Sequence, residues 1–269
     1  MLSKPSGIYI HVPFCRVKCP YCDFYSISRL DRINAYMDAL LAELAIYRPL
    51  AGRVDSIYLG GGTPSLLSSE QVASIIEATA DGFALANDVE ITLEVNPGTV
   101  TRESLQAFRR IGVNRLNIGL QSLDDDALRM LGRIHTSRQG LRTCDWARSA
   151  GFDNLGLDLI YARPGQTNQV WRKEMGAVLS LEPEHLSCYT LTIEPGTPMA
   201  AYVSKGHLKP LKEGIAGKLF DTTIDFLEAR GYRQYEISNF ARHRANDPVD
   251  RRSRHNRKYW NLVPYLGFG

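Results

Sequence analysis

The chain has 269 residues, 44% hydrophobic and 23% charged, with 32 basic and 29 acidic side chains. That composition excludes a mainly disordered chain, and the length allows one large domain, or one large and one small, with a core that needs no disulfide staples. A net charge of +3 is too small to argue for nucleic acid, no apolar run reaches the ~18 residues of a membrane span, and Met1 to Gly7 shows no apolar signal region, so a cytoplasmic protein is expected.

Strand-like runs begin near Gly7, Val54, Val89, Asn114, Asn154 and His185, at the spacing of βα units with a parallel sheet. Between them lie helical patterns. Over 31–47, Ile33, Tyr36, Leu40, Leu44 and Tyr47 recur at steps of three or four, and Pro49 is the stop. Thr101 is a good N-cap for 101–111, with Leu105, Phe108 and Ile111 on one face and Gly112 as the end. Ser122 with Asp125 resembles a capping box for 124–131. Leu141, Cys144 and Ala147 line a helix ending at Gly151, and Val170, Met175, Val178 and Leu179 mark another. Six such units fall short of the eight in a closed barrel. The expectation is an α/β fold, a partial (βα)6 barrel or open parallel sheet over 1–195, with ligands at the carboxyl ends of the strands.

From 196 the pattern changes. A helix is predicted at about 212–230, closed by Gly231, then a strand-like YRQYEI, a basic loop and the aromatic segment RHNRKYWNLVPYLGFG. A smaller α+β unit over 196–269 is expected, and its apolar end at Gly269 reads as truncated. The stretch 242–258 holds seven Lys/Arg against two Asp, so the positive excess is local.

The first strand is followed at once by Cys15, Cys19 and Cys22, a Cys-x3-Cys-x2-Cys loop. Thiolates are soft ligands suited to zinc or iron–sulfur clusters. Structural zinc takes four ligands and no open position, and position 24, two beyond Cys22, is Phe24. A [4Fe–4S] cluster held by three cysteines would leave one iron free to bind a small molecule. Zinc with a distant fourth ligand and three unrelated core cysteines are the alternatives. Cys144 and Cys188 read as small core residues.

This loop resembles that of the radical S-adenosylmethionine (SAM) superfamily. The longer string HVPFCRVKCPYCDFYS is similar to the branch holding the oxygen-independent coproporphyrinogen III oxidases and the HemW heme chaperones. GGGTPSLL, LEVNPGT, GVNRLNIGLQS, LGRIH, DLIYARPGQT, LTIEPGTPM and YEISNFAR follow in register over nearly the whole chain. The resemblance implies a [4Fe–4S] cluster on Cys15, Cys19 and Cys22. It implies SAM contacts at Gly61, Gly62, Thr63, Glu94, Gln121, Arg133 and Asp158, with Tyr9 and Ile160 as further positions. In the family, the open iron chelates SAM, and an electron from the cluster cleaves it to methionine and a 5′-deoxyadenosyl radical. Whether SAM is cleaved here or only bound stays open, so an enzymatic role is neither claimed nor denied.

Two features separate the branches. The oxidase-type loop carries a further cysteine where this chain has Phe24, and His255-Asn256-Arg257-Lys258-Tyr259-Trp260 matches the HNxxYW motif of the chaperones. The resemblance therefore implies a heme chaperone, with heme as cargo, an apo-hemoprotein acceptor, and a reductant protein for the cluster. Imidazole is a good axial ligand for heme iron, so His255 is the candidate, with His11 as competitor and His135 and His243 behind it. Tyr259 and Trp260 offer flat apolar surface, and Arg251, Arg252, Arg254 and Lys258 could meet propionates. Two departures stand out: the connector HRANDPVDRR is longer and more basic than the family's, and family members continue past YLGFG. The alternatives are the oxidase and, more distantly, an RNA-modifying enzyme using the basic stretch; no nucleic-acid partner is expected.

Overall fold

The computed structural model describes residues 5–48, 52–243 and 249–269. The predicted stop Pro49 and part of the basic connector lie outside these residues. Six parallel strands run in chain order: β1 (Ser6–Val12), β2 (Arg53–Gly61), β3 (Ala84–Val95), β4 (Arg115–Gln121), β5 (Leu155–Tyr161) and β6 (His185–Thr190). The connecting helices are α1 (Ile33–Ile46), α2 (Ser69–Gly82), α3 (Arg102–Arg110), α4 (Asp125–Met130) with α5 (Ser137–Ser149), and α6 (Asn168–Leu179). This is an α/β fold with a mostly parallel, unclosed sheet, as a partial barrel requires.

The helices start where side-chain oxygens meet the orphan backbone donors of a first turn. Ser68, Thr101 and Thr136 each complete a capping box, and Thr167 caps α6. The predicted Ser122/Asp125 box does not form. Asp124 caps α4, accepting from the amides of Asp126 and Ala127, while Ser122 is drawn inward to the buried Glu174. Val170 is exposed and Trp171 takes the buried position, its indole donating to Thr223 at 2.8 Å. The helix α2 has no counterpart in the expected pattern, and β3 begins earlier than predicted.

The sheet continues through the C-terminal residues. After α7 (Pro198–Ser204) and α8 (Glu213–Glu228), β7 (Tyr232–Gln234) and β8 (Asn239–Arg242) add antiparallel beyond β6. Only the start of YRQYEI is strand. The helix α9 (Arg254–Trp260) then leads to β9 (Tyr265–Phe268), which pairs parallel with β1. The order is β7-β8-β6-β5-β4-β3-β2-β1-β9. Residues 196–269 thus take both edges of one sheet, β7 and β8 antiparallel beyond β6 and β9 parallel beyond β1.

Side chains alternate across each strand. Ile8, Ile10, Val12, Ile57, Leu59, Leu93, Leu116, Ile118, Leu157 and Leu159 form the core under the helices. Cys144 and Cys188 are buried with them. The opposite set is polar: Tyr9 and His11, Ser56 and Tyr58, Glu90, Thr92 and Glu94, Arg115 and Asn117, Asp158, His185 and Ser187. Burial of so many polar groups on one face is costly unless they serve a ligand or one another.

Candidate cluster and cofactor site

The cysteine loop leaves the carboxyl end of β1 and is pinned where it returns. The Cys15 amide donates to Ile27 O at 3.0 Å, and the Ile27 amide to Pro13 O at 2.7 Å. Between these bonds Cys15, Cys19 and Cys22 are all free thiols, half-buried. Burial pushes the Cys22 thiol above its ordinary range. The loop presses on Gly132, where a Cβ would stand 2.4 Å from Pro20 Cδ; at φ +69° this turn position takes glycine.

A polar chain joins the loop to the strand ends. Thr63 Oγ1 donates to Cys15 Sγ at 3.5 Å and accepts from Asn96 Nδ2 at 2.9 Å. Arg133 Nη2 donates to Asn96 Oδ1 and to Gly119 O, and Arg133 Nη1 donates to Cys19 Sγ at 3.7 Å. Burial works against the Arg133 charge, but Tyr21 and Cys19 beside it hold its pKa above the ordinary value. The predicted Thr63, Arg133, Cys15 and Cys19 are therefore brought together. Gln121 lies at the same end, its Nε2 2.9 Å from where a Cβ on Gly119 would be, with φ +62° and a buried Oε1 that finds no hydrogen-bond partner among the described residues.

The glycine run has a steric reason at each step. A Cβ on Gly60 would come 3.1 Å from Glu94 Oε1, one on Gly62 2.8 Å from Phe14 O, and Gly61 takes φ +107°. Glu94 accepts from Tyr58 Oη at 2.8 Å and from the Gly61 amide at 3.2 Å. Burial pushes its carboxyl up to about 7 and that of Asp158 to about 6. Among the described residues, Asp158 Oδ1 has no hydrogen-bond partner. Tyr9 stacks on Tyr58 with ring centroids 6.2 Å apart and bonds His11 Nδ1 at 3.0 Å. Ile160 is buried in β5.

The HNxxYW residues lie elsewhere, on α9 against the amino ends of β1 and β2. His255 is 1% exposed. Its Nδ1 is 3.2 Å from Ser56 Oγ and its Nε2 2.9 Å from Tyr259 Oη. Burial, with Lys258 adding to it, lowers its pKa to about 3, so the ring is neutral. Tyr259 is half-exposed and Trp260 exposed. Of the other histidines, His11 also meets Tyr25 O at 3.0 Å, His135 is buried on Leu120 O, and the His243 amide bonds Gly231 O. Of the basic side chains expected to meet anions, Arg252 pairs with Asp250, Arg254 with Asp88 and Lys258 with Asp55. The Arg251 guanidinium donates to Asp153 O. Residues 244–248 of the connector lie outside the described residues.

Residues 9–175 match the radical SAM superfamily model. The chain belongs to the radical SAM superfamily. Its relatives within it include the mouse (Mus musculus) radical S-adenosyl methionine domain-containing protein 1, mitochondrial, 39% identical over 99% of this chain and 60% of that protein. The heme chaperone HemW of Bacillus subtilis is 36% identical over 97% of this chain and 68% of its own length. In structure, the chain matches coproporphyrinogen III oxidase (HemN) from Escherichia coli, a radical SAM enzyme, with a TM-score of 0.81 and 26% identity, over 98% of this chain and 63% of that one. The chain thus spans about 60% of the length of its mammalian relatives.

A radical SAM domain implies a [4Fe–4S] cluster and SAM, and the residues present fit both. Three unpaired thiols on one pinned loop, with a guanidinium beside Cys19, are a soft donor set. The partnerless Gln121 Oε1 and Asp158 Oδ1, and the glycine-lined Glu94, offer hydrogen bonds at the strand ends of a kind a polar cofactor needs. Three residues of this network were not singled out from sequence: Asn96, Tyr58 and Tyr21. Asn96 stands inside the quoted LEVNPGT string and Tyr21 between Cys19 and Cys22, so their motifs carried a signal; Tyr58 carried none, reading as one more aromatic in a strand.

Proposed function

We propose that this chain is the cluster- and SAM-holding part of a heme chaperone, which binds heme and passes it to an acceptor apoprotein. One observation carries the reading: the contact chain Cys15–Thr63–Asn96–Arg133–Cys19, in a chain about 36% identical to a HemW protein. Cys15, Cys19 and Cys22 would hold the cluster. Tyr9, Gly61, Gly62, Thr63, Glu94, Gln121, Arg133 and Asp158 would hold SAM. When bound, the cluster would supply an electron to the SAM site, drawn from a reductant protein. The chain's own residues orient and screen: Arg133 offsets thiolate charge, Glu94 and Asp158 offer carboxyl oxygens, and the glycines let backbone approach closely.

His255, Tyr259 and Trp260 are the heme candidates. Ligation through His255 Nε2 would require the Tyr259 hydroxyl to release that nitrogen. A cytoplasmic setting agrees with half-buried free thiols, and the internal pairing of the basic stretch argues against nucleic acid. An anaerobic heme titration of cluster-reconstituted protein, followed by absorbance, tests the reading. Saturable binding that His255→Ala weakens supports it, while no specific binding by the wild type overturns it. The second reading, a coproporphyrinogen III oxidase, has the TM-score of 0.81 in its favour. Phe24 in place of the further cysteine weighs against it. Turnover of coproporphyrinogen III with release of 5′-deoxyadenosine would establish it.

A further inference from the structure

The helix α9 touches the inner face of the sheet through His255, and the contact does not stop there. The His255 ring lies 5.4 Å from that of Tyr58 and stacks 6.1 Å from that of Tyr9. A Cβ on Gly7 would stand 2.8 Å from His255 Nδ1, so β1 presents bare backbone to the docked helix. On its other side the Tyr58 ring abuts Gly60, where a Cβ would come within 2.7 Å. Its hydroxyl donates to Glu94 Oε1 at 2.8 Å and accepts from Asn117 Nδ2 at 3.3 Å. Tyr58 is thus clamped as a ring and committed as a donor. A carboxyl in so dry a place takes its orientation from the donors it meets, here Tyr58 Oη and the Gly61 amide.

We propose that His255 and Tyr58 are positioning residues for SAM: His255 clamps the Tyr58 ring, and Tyr58 aims the Glu94 carboxylate at the cofactor. The inference rests on the assignment of SAM to Glu94 and is independent of heme ligation. It gives the buried histidine of the HNxxYW motif a task toward the carboxyl ends of the strands, on the same face of the sheet that its own helix meets at their amino ends. Any ligand that draws His255 from its slot, heme iron included, loosens SAM, and SAM opposes that withdrawal by the same factor.

The test is a double-mutant cycle on SAM affinity, measured by equilibrium dialysis with cluster-reconstituted chain. Tyr58→Phe and His255→Ala are each expected to weaken SAM about tenfold, the worth of one hydrogen bond to a charged group, and the double variant no further than the weaker single one. Gly7→Ala, pressing on the same ring from β1, weakens SAM as well. Arg257→Ala, whose side chain pairs with Asp250 among the described residues, leaves SAM affinity unchanged. Tyr58→Phe also moves the pH midpoint of SAM binding upward, because Glu94 loses a donor that favours its charged form. The other groups facing Glu94 (Asp158, Tyr9, Tyr189 and Tyr259) are untouched in that variant. A mere loss of packing would leave that midpoint in place. Wild-type affinity in Tyr58→Phe, or additive losses in the double variant, overturns the proposal. If Glu94→Gln binds SAM as the wild type does, it is the assignment of Glu94 that fails. Tyr58→Phe removes a single oxygen, so the test stands even where His255→Ala does not fold.

Discussion

Glu94 is worth following as a single residue, because burial sets its chemistry. Its carboxyl is raised from 4.5 to about 7, chiefly by burial, with Tyr58 and the Gly61 amide opposing the rise. A carboxyl whose folded pKa exceeds its unfolded one favours the fold while protonated. That contribution is full below about 4.5 and fades as pH climbs toward 7. Glu94→Gln should therefore raise stability at pH 8 by up to about 3 kcal/mol and do little at pH 4. Thermal melts of the two proteins at both pH values check this; an equal gain at each would contradict it. The same variant should bind SAM less well, a stability gain taken at the expense of a site. The cysteines behave differently, being half-buried and bonded to little else. Cys22→Ala should abolish the visible absorbance of a reconstituted cluster while leaving the far-UV circular dichroism unchanged. The spacing of Cys15, Cys19 and Cys22 was legible in the sequence because ligands on one loop need only local chain geometry. Tyr58 was not, because nothing within β2 says that its hydroxyl meets a strand thirty-six residues on.

At the scale of elements, the helices were legible where a cap or an apolar stripe announced them. Thr101 closes a box with the Ser104 hydroxyl three residues later, and Cys144 and Ala147 mark the buried stripe of α5. Thr101→Ala should cost about 1 kcal/mol of stability, read in urea unfolding as a lower midpoint at unchanged slope. Ser122 misled because a second, stronger partner was available: the buried Glu174, itself paired with Arg163 at 2.6 Å, outbids a helix amide. The short elements α7, α9 and β9 were not legible, because their stability comes from docking and not from their own pattern. For α9 the docking is through Arg115. This fully buried guanidinium reaches Asn154 at 3.0 Å and the Arg251 carbonyl at 3.1 Å, with Glu90 Oε2 3.9 Å away. Glu90 in turn accepts from the Arg254 amide at the start of α9. Arg115→Ala should destabilise by about 3 kcal/mol or more, since it strands a buried carboxylate. A melting temperature within a degree of wild type would show that α9 is held by its surface ion pairs instead.

At the scale of the whole molecule, one sheet carries everything described here. Residues 196–269 place β7 and β8 beyond β6 and β9 beyond β1, so neither edge of the six parallel strands stands without them. The barrel part and the C-terminal part should unfold together. Circular dichroism and tryptophan fluorescence report on different places, with Trp146 in α5, Trp171 in α6 and Trp260 on α9, and their thermal transitions should coincide. An early fluorescence transition, with the sheet intact, would mean that α9 melts on its own.

The sequence by itself determined the local and the periodic: six strands at βα spacing, most of their helices, the cysteine loop at a strand end, and the motif series that marks the superfamily. Each of these is written within a few turns of chain, where alternation, caps and ligand spacing act. The tertiary structure alone decided which of those pieces meet. It put Asn96 between Thr63 and Arg133, buried His255 against Ser56 and Tyr58, and spent the basic side chains of the C-terminal stretch on Asp55, Asp88 and Asp250. The physical reason is separation along the chain. His255 and Ser56 stand 199 residues apart, and a contact at that distance follows from the register of a nine-stranded sheet, not from either residue's neighbours.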